Sequence, residues 1–137
     1  MKLIINSLLL LLIFNSCTAQ KNNTLILNYE AHTRGNSVII KVDSKKLTFT
    51  NFEGEKTLVI SDKNWKEIQN ILKNIDLNSI KDLKAPSTKS HTDAALIASL
   101  KITEADKVYE SSTFDHGNPP NELKELVDKL FELAQLN

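Results

Sequence analysis

Between Leu25 and Ile60 the apolar residues fall on alternate positions in short runs, and a chain patterned this way has few options besides an antiparallel sheet with one buried face. Leu25, Leu27, Tyr29 and Ala31 alternate with more polar neighbours, as the two-residue period of a half-buried strand requires. Thr33-Arg34-Gly35-Asn36 supplies turn residues, and Val38, Ile40 and Val42 resume the alternation. Asp43-Ser44-Lys45 separates these from a third run marked by Leu47 and Phe49. Glu53-Gly54 then offers a glycine for the positive φ of a hairpin leading into residues 56–60. Four consecutive strands joined by tight turns predict a meander.

The period then changes. Ser61 suits a helix N-cap with Asp62 in the first turn, and Trp65, Ile68, Ile71, Leu72 and Ile75 fall on one helical face. At that spacing Trp65 reads as a core residue. Leu77, Ile80 and Leu83 make a short helical coda that ends before Pro86, and the polar residues 87–92 read as a loop. Residues 94–103 and 107–114 form a second hairpin around Glu104-Ala105-Asp106. Pro119 is pushed out of the helical region by the proline that follows it, and Pro120 suits the first position of a last helix. That helix carries the stripe Leu123, Leu126, Val127, Leu130, Phe131 and Ala134. The expected architecture is α+β: an antiparallel sheet of about six strands, with two one-sided helices packed on one face. It forms a single globular domain over residues 24–137.

A different kind of segment precedes it. Met1-Lys2 is a short positive start, and residues 3–14 are apolar, with the run Leu8-Leu9-Leu10-Leu11-Leu12-Ile13. A bilayer-spanning helix needs about 20 apolar residues, and this stretch is shorter, with polar Asn15, Ser16 and Thr18 close behind. Residues 1–16 therefore read as an export signal peptide. Its removal would leave 121 of the 137 residues, with 16 basic and 17 acidic side chains and a formal charge of −1. A chain of that length buries roughly two-thirds of its unfolded surface, enough for one core. Arg34 is the single arginine, and the balanced charge lacks the basic patch of a nucleic-acid binder.

Phe14-Asn15-Ser16-Cys17 resembles the lipobox of bacterial lipoproteins, with Phe14 and Asn15 standing where that family usually has leucine and a small residue. The resemblance, which covers residues 1–17, implies cleavage after Ser16, a diacylglycerol on the Cys17 sulfur and acylation of the new amino terminus. Residues 17–23 would then be a lipidated tether. Cys17 is the only cysteine, so no internal disulfide can form, and acylation would consume an otherwise free exported thiol. Several acyl chains anchor a protein stably where one does not. Thr18 after the cysteine implies the outer membrane by the enteric sorting rule, and the absence of an acidic run over residues 18–23 points to its periplasmic face. Cleavage after Ala19, giving a secreted or periplasmic product, is the alternative. The globular part is similar to small lipoproteins of Bacteroidota in its order of elements, a resemblance that carries no named activity.

The chain holds no GxSxG, HExxH, Walker loop or GxGxxG, and no cysteine-based metal site. No cofactor or resident metal is implied. One constellation carries possible chemistry. With the second hairpin turning at Ala105, paired residue numbers sum to about 210, which brings His91 and Asp93 beside Asp115 and His116 at its open end. Arg34, with His32 nearby, reaches the same rim if the first hairpin points the same way. Carboxylates orienting imidazoles could hold an anion or a metal; alternatively the two aspartates cap loops and the histidines are solvated. Two functional expectations follow. The favoured one is a non-enzymatic binding module, monomeric, tethered to the membrane and partnered by another envelope protein. The other is a small hydrolase, or an anion- or metal-binding protein, built on Arg34, His91, Asp93, Asp115 and His116.

Overall fold

The computed structural model of the chain describes residues 24–92 and 95–136. Its strands are β1 (Leu25–Thr33), β2 (Asn36–Val42), β3 (Lys46–Asn51), β4 (Gly54–Val59), β5 (Ile97–Glu104), β6 (Lys107–Glu110) and β7 (Phe114–Asp115). Helix α1 (Asp62–Leu72) follows β4, and α2 (Asn121–Ala134) follows β7. All pairings are antiparallel, in the order β4-β3-β2-β1-β5-β6, with β7 also on β5. The expected four-strand meander is present, and β5 adds itself to the far side of β1.

The alternation works as expected. Leu27, Tyr29 and Ala31 of β1, Ile40 and Val42 of β2, Leu47 of β3, and Ala98, Leu100 and Ile102 of β5 are all buried in one cluster. Against this face lie Leu123, Leu126, Val127, Leu130 and Ala134 of α2. Helix α1 contributes less: Ile68 is its one fully buried residue, while Trp65, Ile71 and Leu72 pack half-buried at the margin. The residues between these on the strands, among them Asn28, Glu30, Lys41, Thr48, Thr50 and Lys101, occupy the opposite face and are half-buried or exposed.

Local chemistry sets the ends of elements. Ser61 Oγ accepts from the Asn64 amide at 3.2 Å, capping α1. That helix ends at Leu72, short of Ile75, and tight turns continue it (Asn74 N–H to Ile71 O, Ile75 N–H to Leu72 O). A 3-10 turn over Ile80–Asp82 forms the coda, and a second, Lys89–Thr92, lies inside the expected loop. Pro120 stands one position before the first helical residue of α2. That helix closes on Gln135 at φ 62, with the Leu136 amide donating to Phe131 O at 3.0 Å, a left-handed cap that satisfies a terminal carbonyl.

The second hairpin differs from expectation in one respect. Its returning strand is broken: β6 stops at Glu110 and pairing resumes only at Phe114. Lys101 faces Glu110 whereas Ala98 faces Phe114, so residues 111–113 oppose only residues 99 and 100. The extra residue makes a bulge. Its cause is visible at two serines. Ser111 keeps a foothold on β5, its amide donating to Leu100 O at 2.9 Å and its hydroxyl accepting from Leu100 N at 3.0 Å. Ser112 turns to the coda instead, its amide donating to Ile80 O at 3.2 Å and its hydroxyl to Leu83 O. The turn is also tighter than expected, two residues with Ala105 at φ 51. Paired numbers therefore sum to 211 along β6 and 212 at β7, not 210.

Candidate functional site

The end of the sheet where β1 turns into β2 and where β5 begins gathers most of the residues that the sequence marks for chemistry. Register places His32 opposite Ile97, and Ile97 opposite Asp115. Arg34 sits in the β1–β2 turn, exposed, at this same end. His91 is exposed in the 3-10 turn Lys89–Thr92. Asp93 and Cys17 lie outside the described residues. The rim is therefore shared, but the side chains on it diverge.

Asp115 is 2% exposed. Its carboxylate accepts from the amides of Lys89 and Ser90, each at 2.8 Å, and from the Ser87 hydroxyl. The hydroxyls of Ser87 and Ser90 and the two amides hold the carboxyl far below its usual range, outweighing the cost of burial. Asn118 completes the arrangement: its amide donates to Asp115 O at 2.8 Å and its side chain to Ser87 Oγ at 2.7 Å. Asp115 is thus a cap for residues 87–90. A carboxylate so engaged has little free capacity to orient an imidazole.

His116, the next residue, lies in the turn after β7, and its ring faces Tyr29 and α2. Its Nδ1 lies 2.8 Å from the Tyr29 hydroxyl, and its ring packs between Tyr29 (centroids 5.8 Å apart) and Phe131 of α2 (5.4 Å). Tyr29 is fully buried and packs edge-on against Phe131 at 5.2 Å. The Gly117 amide donates to the same hydroxyl at 3.4 Å. With the oxygen already accepting from Gly117, we assign the phenol hydrogen to Nδ1, which accepts it in the neutral Nε2–H tautomer. Burial pushes His116 below its ordinary value, and burial pushes the Tyr29 phenol well above its own, the Gly117 amide opposing only part of that rise. A protonated ring would gain about 0.5–1 kcal/mol of cation–π attraction from its aromatic neighbours. It would also leave the buried tyrosine hydrogen without an acceptor, at about 1–3 kcal/mol. The neutral imidazole wins.

His32 stays on the open side of the sheet, 3.4 Å from Glu30 Oε2 and exposed. So of the four described candidates, Asp115 joins residues 87–90, His116 joins the aromatic core, and Arg34 and His91 face solvent. Among the described residues no group of three or more His, Cys, Asp or Glu side chains could hold a metal ion. The sequence reading placed Tyr29 in the core but gave its hydroxyl no role, and passed over Ser87, Ser90 and Asn118. For the serines the available signal was their placement in a polar loop before a strand bearing an aspartate.

A groove of about 510 Å3 lies elsewhere, between α1 and α2, with Glu67, Ile71, Glu125, Asp128, Lys129 and Glu132 on its walls. Lys129, its side chain only 11% exposed, bridges Glu67 at 2.7 Å and Glu132 at 3.1 Å. Hydrogen bonding to Lys129 lowers the Glu67 carboxyl, and the lysine is raised in turn. The bridge ties the two helices together and offsets one of the four negative charges on the groove's walls. No helix among the described residues is long and apolar enough to cross a membrane.

Compared with known proteins, the chain matches no family model and no curated sequence.

Proposed function

We propose that the chain is a lipid-anchored protein of the cell envelope that acts by binding another envelope protein and performs no catalysis. The anchor rests on the export-type apolar run followed by Cys17, and the membrane is the outer one, periplasmic side, by the residues after that cysteine. The observation that carries the non-enzymatic reading is the engagement of Asp115 and His116. The carboxylate is filled by Ser87, Lys89 and Ser90, and the imidazole Nδ1 by Tyr29. A hydrolase needs an activated nucleophile or a metal-bound water, and these two side chains are committed to holding the chain in place.

The anchor is tested by intact mass of the purified protein: a diacylated, N-acylated species beginning at Cys17 is expected, and an unlipidated form beginning at Gln20 would overturn it. The binding reading is tested by affinity capture of the lipidated protein from its own envelope, with His91→Ala and Arg34→Ala beside the wild type. A discrete partner held equally by wild type and His91→Ala supports the proposal. Shifts of the His91 NMR signals on adding zinc, phosphate or sulfate would restore the ion-site reading instead.

A further inference from the structure

We infer that the Tyr29–His116 contact is an acid-sensitive latch: protonation of His116 releases the segment around residues 116–120 and its hold on α2, while Asp115 keeps residues 87–90 attached. The geometry is that of two anchors at successive residues, Asp115 at the end of β7 and His116 in the turn that follows. On one side Asp115 takes three hydrogen bonds from residues 87–90. On the other, His116 is fixed by Tyr29 at 2.8 Å and sits against Phe131 of α2. Its amide, donating to Leu96 O at 2.9 Å, is a third hold.

The hydrogen-bond direction makes the His116 side the labile one. Tyr29 already accepts from Gly117, so it offers a hydrogen to His116 only while Nδ1 is bare. A proton on Nδ1 puts two donors toward one oxygen and turns the tyrosine hydrogen into the apolar space among Phe114 and Phe131. The groups packed against the ring are Tyr29 from β1, Phe131 from α2 and the Gly117 backbone. The carboxylate of the preceding residue, Asp115, is turned away to residues 87–90. Of the charges on α2, Lys124 pairs with Asp128, and Lys129 with Glu67 and Glu132, while Glu122 in the first turn and Glu125 are in no ion pair among the described residues, with His116 or otherwise. Among the described residues, no carboxylate lies within ion-pair distance of His116; the one histidine so placed is His32, beside Glu30. As these elements stand, none brings a carboxylate close enough to pair with a positive imidazole. Opening would instead let it reach water and uncover the ring cluster of Tyr29, Phe114 and Phe131.

The test is histidine NMR titration of the purified protein between pH 7.5 and 4.5, together with amide hydrogen exchange corrected for its intrinsic pH dependence. His116 is expected to titrate below 6.5, its ordinary value. Below pH 6.5 the exchange of the His116 and Gly117 amides should accelerate, approaching about tenfold per pH unit until His116 itself titrates, the dependence of an opening linked to one proton. Over the same range the Lys89 and Ser90 amides should keep their protection. His116→Gln, whose amide oxygen can still accept from Tyr29 but does not titrate, should abolish the acceleration. Tyr29→Phe removes the donor and should move the His116 midpoint upward, a readout that stands even if the glutamine variant folds poorly. Asp93→Asn should leave the midpoint in place. Flat exchange, acceleration that survives in His116→Gln, an unmoved midpoint in Tyr29→Phe, or a midpoint displaced by Asp93→Asn would each overturn the latch.

Discussion

The meander and the second hairpin are built on the same sheet by different means. Along β1–β2 and β3–β4 the register is constant from end to end, and alternate residues of β1 and β2, with Leu47 of β3, form one buried apolar face. Along β5 the partner strand slips by one residue, and the slip is held by serine hydroxyls, one aspartate and the Tyr29–His116 pair. The first region is stabilised chiefly by area removed from water, the second by directional bonds to main-chain groups. Apolar burial is non-directional and tolerates imprecision; a buried polar group left without its partner is penalised in full. The two regions should therefore fail differently.

The largest expected effect belongs to the packed region. Leu126→Ala or Leu130→Ala removes a fully buried side chain from the middle of α2 and should cost about 2–5 kcal/mol. The loss should be global, seen as a lower urea midpoint reported equally by circular dichroism and by exchange of β1 and β2 amides. A cost below about 0.5 kcal/mol at both positions, typical of surface sites, would mean that α2 does not seal the sheet.

This division also explains what could be read in advance. The alternation of Leu27, Tyr29 and Ala31 and the stripe from Leu123 to Ala134 follow from periods of 2 and 3.6, and they locate four strands, two helices and the buried face. The bulge at Ser111 and Ser112 leaves no periodic trace, because it depends on Ile80 and Leu83 presenting free carbonyls some thirty residues earlier. The rim was legible as topology: His32, Arg34, Asp115 and His116 do lie at one end of the sheet. The direction of each side chain was not, since a register change of one residue reverses the face on which a residue lies. Asp115 and His116 share that end by hairpin register, yet the first turns to residues 87–90 and the second, in the turn after β7, to Tyr29 and Phe131.

Next in size is Ser87→Ala. The hydroxyl donates to a buried carboxylate and accepts from Asn118, so its removal should cost about 1–3 kcal/mol. Here the expected failure is local. The amides of Lys89 and Ser90 should lose protection while those of β2 and β3 keep theirs; uniform loss across the sheet would erase the proposed distinction between the regions.

Acid separates the two anchors further. His116 has a folded-state value below its ordinary 6.5, so the unfolded chain takes up a proton before the folded one as pH falls. Stability linked to this residue is therefore complete above about pH 6.5 and declines below it. Asp115 is also lowered, from 3.8, and the sign is the same while the window differs: its contribution is complete above about that value and is lost as pH falls through the lower folded value. Urea unfolding at steps of pH should show a first decline starting near 6.5 that is missing in His116→Gln, and a later one below about 4 that remains. A single decline confined to pH below 4 in the wild type would remove His116 from the account.

The smallest effect is expected where a sequence signal is strongest in chemistry and weakest in structure. Arg34 is the single arginine and sits in a two-residue turn, its side chain exposed. What the turn requires is the neighbouring Gly35 at φ 82, a backbone angle that costs an ordinary residue about 1–2 kcal/mol. Gly35→Ala should accordingly destabilise by about that amount, and Arg34→Ala by less than about 0.5 kcal/mol. If Arg34 contributes to the envelope partner's surface, its loss should appear only in capture from the envelope, with the unfolding midpoint unchanged. A large stability loss in Arg34→Ala would instead make it part of the fold's own scaffold. The turn would then have to be grouped with the bond-held hairpin and no longer with the packed meander.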